Sequence, residues 1–138
     1  MIHYNSKLVR FLLPKDYSAM MLFGHVFIRS SKNDADSVIV NHELIHVEQW
    51  KELMFAVFAI LNVPFIGSIN IKYTILTMLL SFCAFYVWYF LEYLIRLAIK
   101  KNHDEAYVSI SFEKEAYLNE GKPRYLENRD YFSFIKHL

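Results

Sequence analysis

The sequence has little cysteine, and its positive and negative charges nearly cancel. The single cysteine, Cys83, excludes an internal disulfide and also a finger-type zinc site, in which several thiolates hold the ion. The formal net charge of +1 argues against the strongly basic surface of most nucleic-acid-binding domains, so we expect no nucleic-acid partner. A metal ion in this chain would have to be held by histidine and carboxylate side chains.

Glycine and proline are also scarce, with three of each, and no Gly/Ser-rich linker or repeat divides the 138 residues. We therefore expect a single domain over residues 1–138. We expect no signal peptide, because the first residues lack a long apolar run and a small-residue cleavage site. Apolar residues are in excess: 55% of the chain is hydrophobic, above the roughly 45–50% of ordinary domains. This excess must be buried in a core, a partner or a bilayer.

The order of patterns along the chain predicts a mainly α-helical protein with a short edge strand or hairpin. Residues 19–30 are rich in β-branched and aromatic side chains, which is typical of a strand. In the polar segment that follows, Asn33, Asp34 and Asp36 are candidates to cap a helix that continues to Pro64. The remaining predicted elements are an apolar helical hairpin at about 53–99, a connection at 102–108, a helix at 109–120 and a short helix at 124–137.

The segment "HELIH" (42–46) lies on the first long helix and carries the strongest functional signal. Residues four apart on a helix share a face, so His42 and His46 can bind one ion. Glu43 lies about 100° round the helix, within reach of a water molecule at that ion. This arrangement is typical of zinc hydrolases, in which the glutamate is the general base. Five residues alone also match by chance, and the motif then has no chemical role.

A catalytic zinc ion needs a third protein ligand, which must come from later in the chain. The candidates are Glu92, His103, Asp104, Glu105, Glu113, Glu115, Glu120 and His137. The segment "FEKEAY" (112–117) is favoured, because small Ala116 allows close helix packing and apolar residues flank the two glutamates. A carboxylate on a buried helix face is costly unless it is paired or bound to a metal. Alternatively, these glutamates lie on a solvated helix face.

Together the two motifs resemble the gluzincin-type metallopeptidases, which pair a HExxH helix with a later E-x-x-A-D helix, and also many small HExxH proteins of unassigned function. The resemblance implies a zincin-like core, with His42, His46 and Glu113 as zinc ligands and Glu43 as the catalytic base. Glu115 is the alternative third ligand. Tyr117 stands where the family has an aspartate that orients a ligand histidine.

The resemblance also implies a peptide or protein substrate beside an edge strand, which residues 21–29 would supply. An electrophilic group for the tetrahedral intermediate could come from His103, Tyr107 or Tyr117, and the sequence does not choose among them. We therefore expect a zinc-dependent peptidase. The alternatives are a zincin-like metal-binding protein without turnover, acting as a structural or interaction module, and a small membrane scaffold in which the motif has no role.

Two apolar runs, 53–69 and 74–91, lie between the two metal motifs. Each is close to the lower limit of the roughly 17–25 residues that span a bilayer. A single crossing would separate Glu113 from His42, so a hairpin is required if the chain enters a membrane, with a turn near 67–72. Basic residues cluster on the side of the motifs, which predicts a cytoplasmic metal site. Alternatively, the runs form the core of a soluble cytoplasmic protein.

Overall fold

The computed structural model describes residues 1–15, 17–65 and 70–138, and it is mainly helical with a small three-stranded sheet. The strands are β1 (Ile2–His3), β2 (Ala19–Leu22) and β3 (His25–Ile28). The α-helices are α1 (Lys7–Leu12), α2 (Ser37–Asn62), α3 (Ile71–Lys100), α4 (His103–Val108) and α5 (Ser111–Asn119). Short 3-10 helices follow at Val63–Phe65 and Ser133–His137.

The predicted strand at 19–30 is a hairpin, in which β2 and β3 pair antiparallel while β1 pairs parallel with β3 on its other side. The hairpin turns at Phe23 and Gly24, where φ is 49° and 77°. A Cβ on Gly24 would lie 2.7 Å from the indole ring of Trp50, so a glycine is needed at this contact. The sheet order β1-β3-β2 leaves β2 at one edge.

Helix α2 begins and ends where capping and proline chemistry predict. The Asp36 side chain accepts a hydrogen bond from the Val38 amide, so Asp36 is the N-cap among the three candidates. The α-helix ends at Asn62, and the chain continues through Pro64 as a 3-10 turn, because proline has no amide hydrogen to donate to the α-helical ladder. Its first half carries the HELIH motif, and its second half packs against α3.

The apolar hairpin differs from its prediction in the length of its first arm. After Glu52, α2 continues only to Asn62, so the run 53–69 is not one helix. Of the predicted turn at 67–72, residues 67–69 lie outside the described residues, and Asn70 caps α3. The second arm is α3, which is long and apolar enough to span a membrane, with a mean hydropathy of 1.8 in its most apolar window. Only 17% of that window is buried, unlike a typical core helix.

Polar groups lie between the two arms, and apolar groups lie outside. The Asn62 amide donates to the Thr77 hydroxyl at 3.0 Å, and the buried Ser81 hydroxyl donates to the Thr77 carbonyl at 2.6 Å. The outward positions hold large exposed hydrophobic side chains, among them Ile60 and Leu79. Apolar side chains such as Leu53 and Phe85 also pack between the arms, but the exposed apolar surface is unlike that of a water-soluble helix pair.

The C-terminal part of the chain departs from two predictions. The expected connection at 102–108 contains α4, whose N-cap Asn102 accepts hydrogen bonds from the amides of Asp104 and Glu105. The expected helix at 124–137 is instead a series of turns ending in the short 3-10 helix. Its side chains still fill the core, which contains Trp50, Leu53, Phe85, Ile110, Phe112 and Phe134.

Candidate metal centre

Three side chains from two helices meet in the interior of the protein. The Nε2 atoms of His42 and His46, both on α2, are 3.1 Å apart. The Glu113 carboxylate on α5 places Oε2 3.3 Å from His42 Nε2 and Oε1 3.2 Å from His46 Nε2. Glu113 is 2% exposed, so its carboxylate is a buried corner of this triangle. These three side chains could hold a metal ion.

The spacings among the two imidazole Nε2 atoms and the two Glu113 oxygens fit a small ion. Zinc bonds to nitrogen and oxygen of about 2.0–2.1 Å place neighbouring ligand atoms roughly 3.4 Å apart, close to the three distances observed. Among the described residues, the one buried side-chain polar atom that lacks a hydrogen bond is Oε2 of Glu113. Buried polar atoms are rarely left unpaired in native proteins, so this oxygen points to a partner such as a cation.

The other nitrogen of each imidazole is also held. Glu120 Oε2 lies 2.7 Å from His42 Nδ1, and Gln49 Oε1 lies 2.7 Å from His46 Nδ1. A carboxylate and an amide oxygen can only accept here, so each Nδ1 carries the proton. The neutral form of each ring then turns a free lone pair at Nε2 towards Glu113, which is the tautomer that a metal ligand needs.

The orientation of Gln49 is set by its own partners. Its amide nitrogen donates to the Phe112 carbonyl and to Glu115 Oε2, both at 3.1 Å. Its amide oxygen must therefore face His46. Gln49 is fully buried, and it links the histidine on α2 to the backbone and a carboxylate of α5.

Glu115, the alternative third ligand, points away from the triangle. Its carboxylate forms an ion pair with Arg129, which also pairs with Glu52 on α2, and it accepts a hydrogen bond from the Tyr125 hydroxyl at 2.9 Å. The Arg129 side chain is 4% exposed, so this charge cluster is buried. Glu115 therefore joins α2, α5 and the C-terminal segment, and Glu113 supplies the carboxylate beside the histidines.

The remaining candidate ligands have other partners. Glu92 accepts from the backbone amide and the hydroxyl of Ser111, at 2.9 and 2.6 Å, and so caps the N-terminus of α5. His103 Nδ1 lies 2.7 Å from the Tyr93 hydroxyl. No further group of metal-ligating side chains was found among the described residues, and Asp104, Glu105 and His137 do not join the triangle.

The charge on Glu113 controls the protons of this cluster. Burial alone would lower the pKa of His46, but the negative charge and hydrogen bond of Glu113 outweigh it and raise the pKa to about 9. Burial likewise opposes ionisation of Glu113, but the two histidines hold its pKa well below the usual range. The field that favours a proton on His46 would equally favour a bound cation.

Glu43 lies beside the triangle and is almost fully buried. Burial raises the pKa of its carboxyl, while the two histidines and a hydrogen bond from the Met21 backbone lower it by less. Met21 is on the edge strand β2. Because Ser18 accepts the bond from the Arg29 amide, strand alternation turns the backbone groups of Ala19 and Met21 away from β3.

A cavity of about 480 Å³ opens in front of these groups. Met20 and Met21 line one wall, and Phe85, Tyr86 and Tyr89 of α3 line the other. The volume is within the range of small-molecule and peptide side-chain sites. The cavity floor contains His42, His46, Glu43 and Glu113.

The three candidate electrophilic groups lie at different places around the cavity. Tyr107 and His103 line it. The Tyr117 ring stands edge-on to His42, 4.8 Å between centroids, and its hydroxyl hydrogen-bonds Tyr107. Sequence reasoning missed Tyr89, whose hydroxyl donates to Glu113 Oε1 at 2.8 Å, because it lies in an apolar run without any local signal.

Comparisons with protein-family models, curated proteins and solved structures found no match for this chain. The zincin-like core and the peptidase family therefore remain predictions from the two motifs. The structure shows that the protein is mainly helical and that His42, His46 and Glu113 lie close together.

Proposed function

We propose that this protein is a zinc-dependent hydrolase, a peptidase that acts on peptide or protein at the cytoplasmic face of a membrane. The observation that carries the proposal is the meeting of His42, His46 and Glu113 beside Glu43 in one cavity. These four residues have the roles that the gluzincin resemblance implies. The proposal adds an orienting role for Glu120 and Gln49, which accept hydrogen bonds from the Nδ1 atoms of His42 and His46.

Zinc is the ion that this donor set favours. Two imidazoles and one carboxylate form the ligand set of several catalytic zinc sites, which leave a fourth position open. Other divalent ions also bind imidazole and carboxylate, so the ligand types alone do not select the ion. The close spacing of the donor atoms and the burial of Glu113 support zinc.

When bound, zinc supplies a Lewis acid that polarises a carbonyl and acidifies water. Glu43 accepts a proton from the attacking water as its oxygen adds to the scissile carbonyl carbon. The same carboxyl then returns the proton to the leaving amine as the carbon–nitrogen bond breaks. Tyr107, on the cavity wall, is the side chain that we assign to stabilise the tetrahedral oxyanion.

The substrate is proposed to bind as an extended strand along β2. The Met21 amide donates to Glu43, and the outward-facing backbone groups of Ala19 and the Met21 carbonyl are left for β-augmentation, in which a peptide adds to a sheet edge. The largely apolar cavity walls, with Met20, Phe85 and Tyr86, favour a large hydrophobic side chain next to the scissile bond.

The membrane part of the proposal rests on the hairpin of α2 and α3. Its exposed surface is apolar, and its interhelical contacts include the polar pair Asn62–Thr77, as expected when lipid is the solvent. The basic residues Lys51, Arg96, Lys100 and Lys101 lie at the end of the hairpin that carries the metal centre, which supports a cytoplasmic site.

The test combines metal analysis with hydrolysis by the full chain in lipid nanodiscs. We expect about one zinc per chain, and we expect cleavage of β-casein or of a quenched fluorogenic peptide mixture. Glu43→Gln should retain the zinc and lose at least about a hundred-fold in rate, because only the base is removed. Glu127→Gln, at an exposed position, is the matched control. A folded wild-type protein without any bound metal would end the proposal.

The second candidate is a metal-binding interaction module without turnover. This second candidate is favoured by Tyr117. The gluzincin-type peptidases have an aspartate at this position, and tyrosine cannot supply its negative charge. Glu120 supplies a carboxylate to His42 instead, which favours the enzyme. Equal rates for wild type and Glu43→Gln, with zinc bound in both, would select the interaction module.

A further inference from the structure

Helix α1 carries an exposed apolar stripe that the proposed chemistry does not use. Leu8, Phe11 and Leu12 are spaced i, i+3 and i+4, so they share one face, and their side chains are 38%, 87% and 51% exposed. Val9 faces the other way and is fully buried, so the core already has its contact with this helix. Three large apolar side chains are therefore left on the surface of a six-residue helix.

The stripe is bordered by positive charge. Lys7 and Lys15, at the two ends of segment 7–15 "KLVRFLLPK", are exposed, and Asp16 directly follows the segment. Arg10 lies on the other side of the helix, where its guanidinium donates to the Arg29 carbonyl at 3.3 Å. An apolar face with basic flanks is the pattern of helices that lie in the plane of an anionic membrane surface.

The position of α1 is fixed by the sheet. The Arg29 guanidinium donates to the carbonyls of Leu13, Pro14 and Tyr17 at 3.2, 2.7 and 3.0 Å, which fastens the segment after α1 to the end of β3. The Ser6 side chain caps the start of the helix. The exposed stripe is thus part of an ordered surface.

This surface lies at the level of the apolar hairpin. Leu13 and Pro14 line the same cavity as Tyr86 of α3, and the Tyr86 hydroxyl accepts a bond from the Phe23 amide at 2.6 Å. At that level α3 exposes Val87 and Phe90. The exposed face of α1 and that of α3 therefore lie on either side of the cavity.

We propose that α1 is an interfacial anchor, which inserts Leu8, Phe11 and Leu12 into the headgroup region of an anionic bilayer while Lys7 and Lys15 contact the lipid phosphates. This inference rests on the membrane part of the proposed function and does not depend on hydrolysis. The anchor would bring the cavity to the membrane surface, between α1 and α3.

A spin-label experiment on the full chain in nanodiscs tests this anchor. The single native cysteine, Cys83, is exposed on α3 and reports on the hairpin. In a Cys83→Ser background, Leu12→Cys reports on α1 and Asn33→Cys, in the turn before α2, reports on water. The readouts are collision with oxygen, which concentrates in lipid, and with a water-soluble nickel chelate.

In discs containing phosphatidylglycerol, we expect the label at position 12 to show high oxygen and low nickel accessibility, like Cys83 and unlike position 33. Adding Phe11→Glu should shift the oxygen and nickel accessibilities of the label at position 12 to those measured at position 33. The protein should stay folded, since Phe11 is solvent-exposed. Nickel accessibility should rise when phosphatidylcholine is the only lipid. Equal values in the two lipids would overturn the role of the basic residues.

The outcomes separate the two proposals. Low accessibility to both reagents at position 12 would indicate a protein contact, such as a second copy, and would overturn the anchor. High nickel accessibility at position 12 with a lipid signal at Cys83 would overturn the anchor alone. A water signal at Cys83 would overturn the membrane part of the proposed function and the anchor with it.

Discussion

Glu120 Oε2 lies 2.7 Å from Nδ1 of His42, although the two residues are 78 positions apart in the chain. Glu120 directly follows α5, the helix that carries Glu113. The same segment therefore places one carboxylate beside Nε2 of His42 and a second beside its Nδ1. A carboxylate behind a ligand histidine fixes its tautomer and raises its basicity. It therefore supplies the charge that Tyr117 lacks.

We predict that Glu120→Ala weakens zinc binding by about 10–100-fold, because His42 loses the partner that orients it. The measurement is competition for zinc with a chelator of known affinity. Glu127→Ala, an exposed glutamate in the following segment, should leave the affinity unchanged. An unchanged affinity in Glu120→Ala would show that His42 is oriented without this carboxylate.

Gln49→Met should also weaken zinc binding, by a similar factor, because a thioether is a poor acceptor for the His46 Nδ1 proton. The variant fills a similar volume, so packing is retained, and the lost hydrogen bonds should lower the free energy of unfolding by about 1–3 kcal/mol. Chelator competition and denaturant unfolding measure the two effects. Loss of stability without loss of affinity would limit Gln49 to a packing role.

Glu113→Gln and Glu115→Gln separate the two carboxylates of α5. We expect Glu113→Gln to lose the bound zinc, because an amide is a much weaker ligand than a carboxylate. Glu115→Gln should keep the zinc and lower the free energy of unfolding by about 3–5 kcal/mol, because it breaks a buried ion pair with Arg129. Metal analysis measures the bound zinc, and thermal unfolding measures the stability. Loss of zinc in Glu115→Gln but not in Glu113→Gln would show that Glu115 is the ligand.

Leu79→Arg tests whether lipid surrounds the hairpin. Leu79 is 62% exposed on α3, so in water the substitution should change stability by less than about 0.5 kcal/mol. In a bilayer centre an arginine costs about 2.5–3.5 kcal/mol, which should reduce the fraction of protein retained in carbonate-washed membranes. Glu127→Arg is the control outside the hairpin. Equal membrane retention of Leu79→Arg and wild type would favour a soluble protein.

Local signals in the sequence were sufficient for several features of the fold. Helix α2 could be predicted because Asp36 and Pro64 mark its ends, and α3 because its apolar run has no breaker. The spacing of His42 and His46 places both on one helix face. Gly24 is a local signal for the turn inside the predicted strand, because its φ of 77° favours glycine, whereas its close approach to the Trp50 ring is visible only in the structure.

The sequence by itself determined the two histidines, their neighbouring glutamate and a short set of candidate third ligands, because helix periodicity acts between residues close in the chain. Only the tertiary structure decided that Glu113 faces the histidines while Glu115 faces Arg129, and that Glu120, Gln49 and Tyr89 hold the cluster in place. Neighbouring positions on one short helix have similar local patterns. Their roles differ because α2, α3 and the C-terminal segment pack on different sides of α5, and such long-range packing has no local signature.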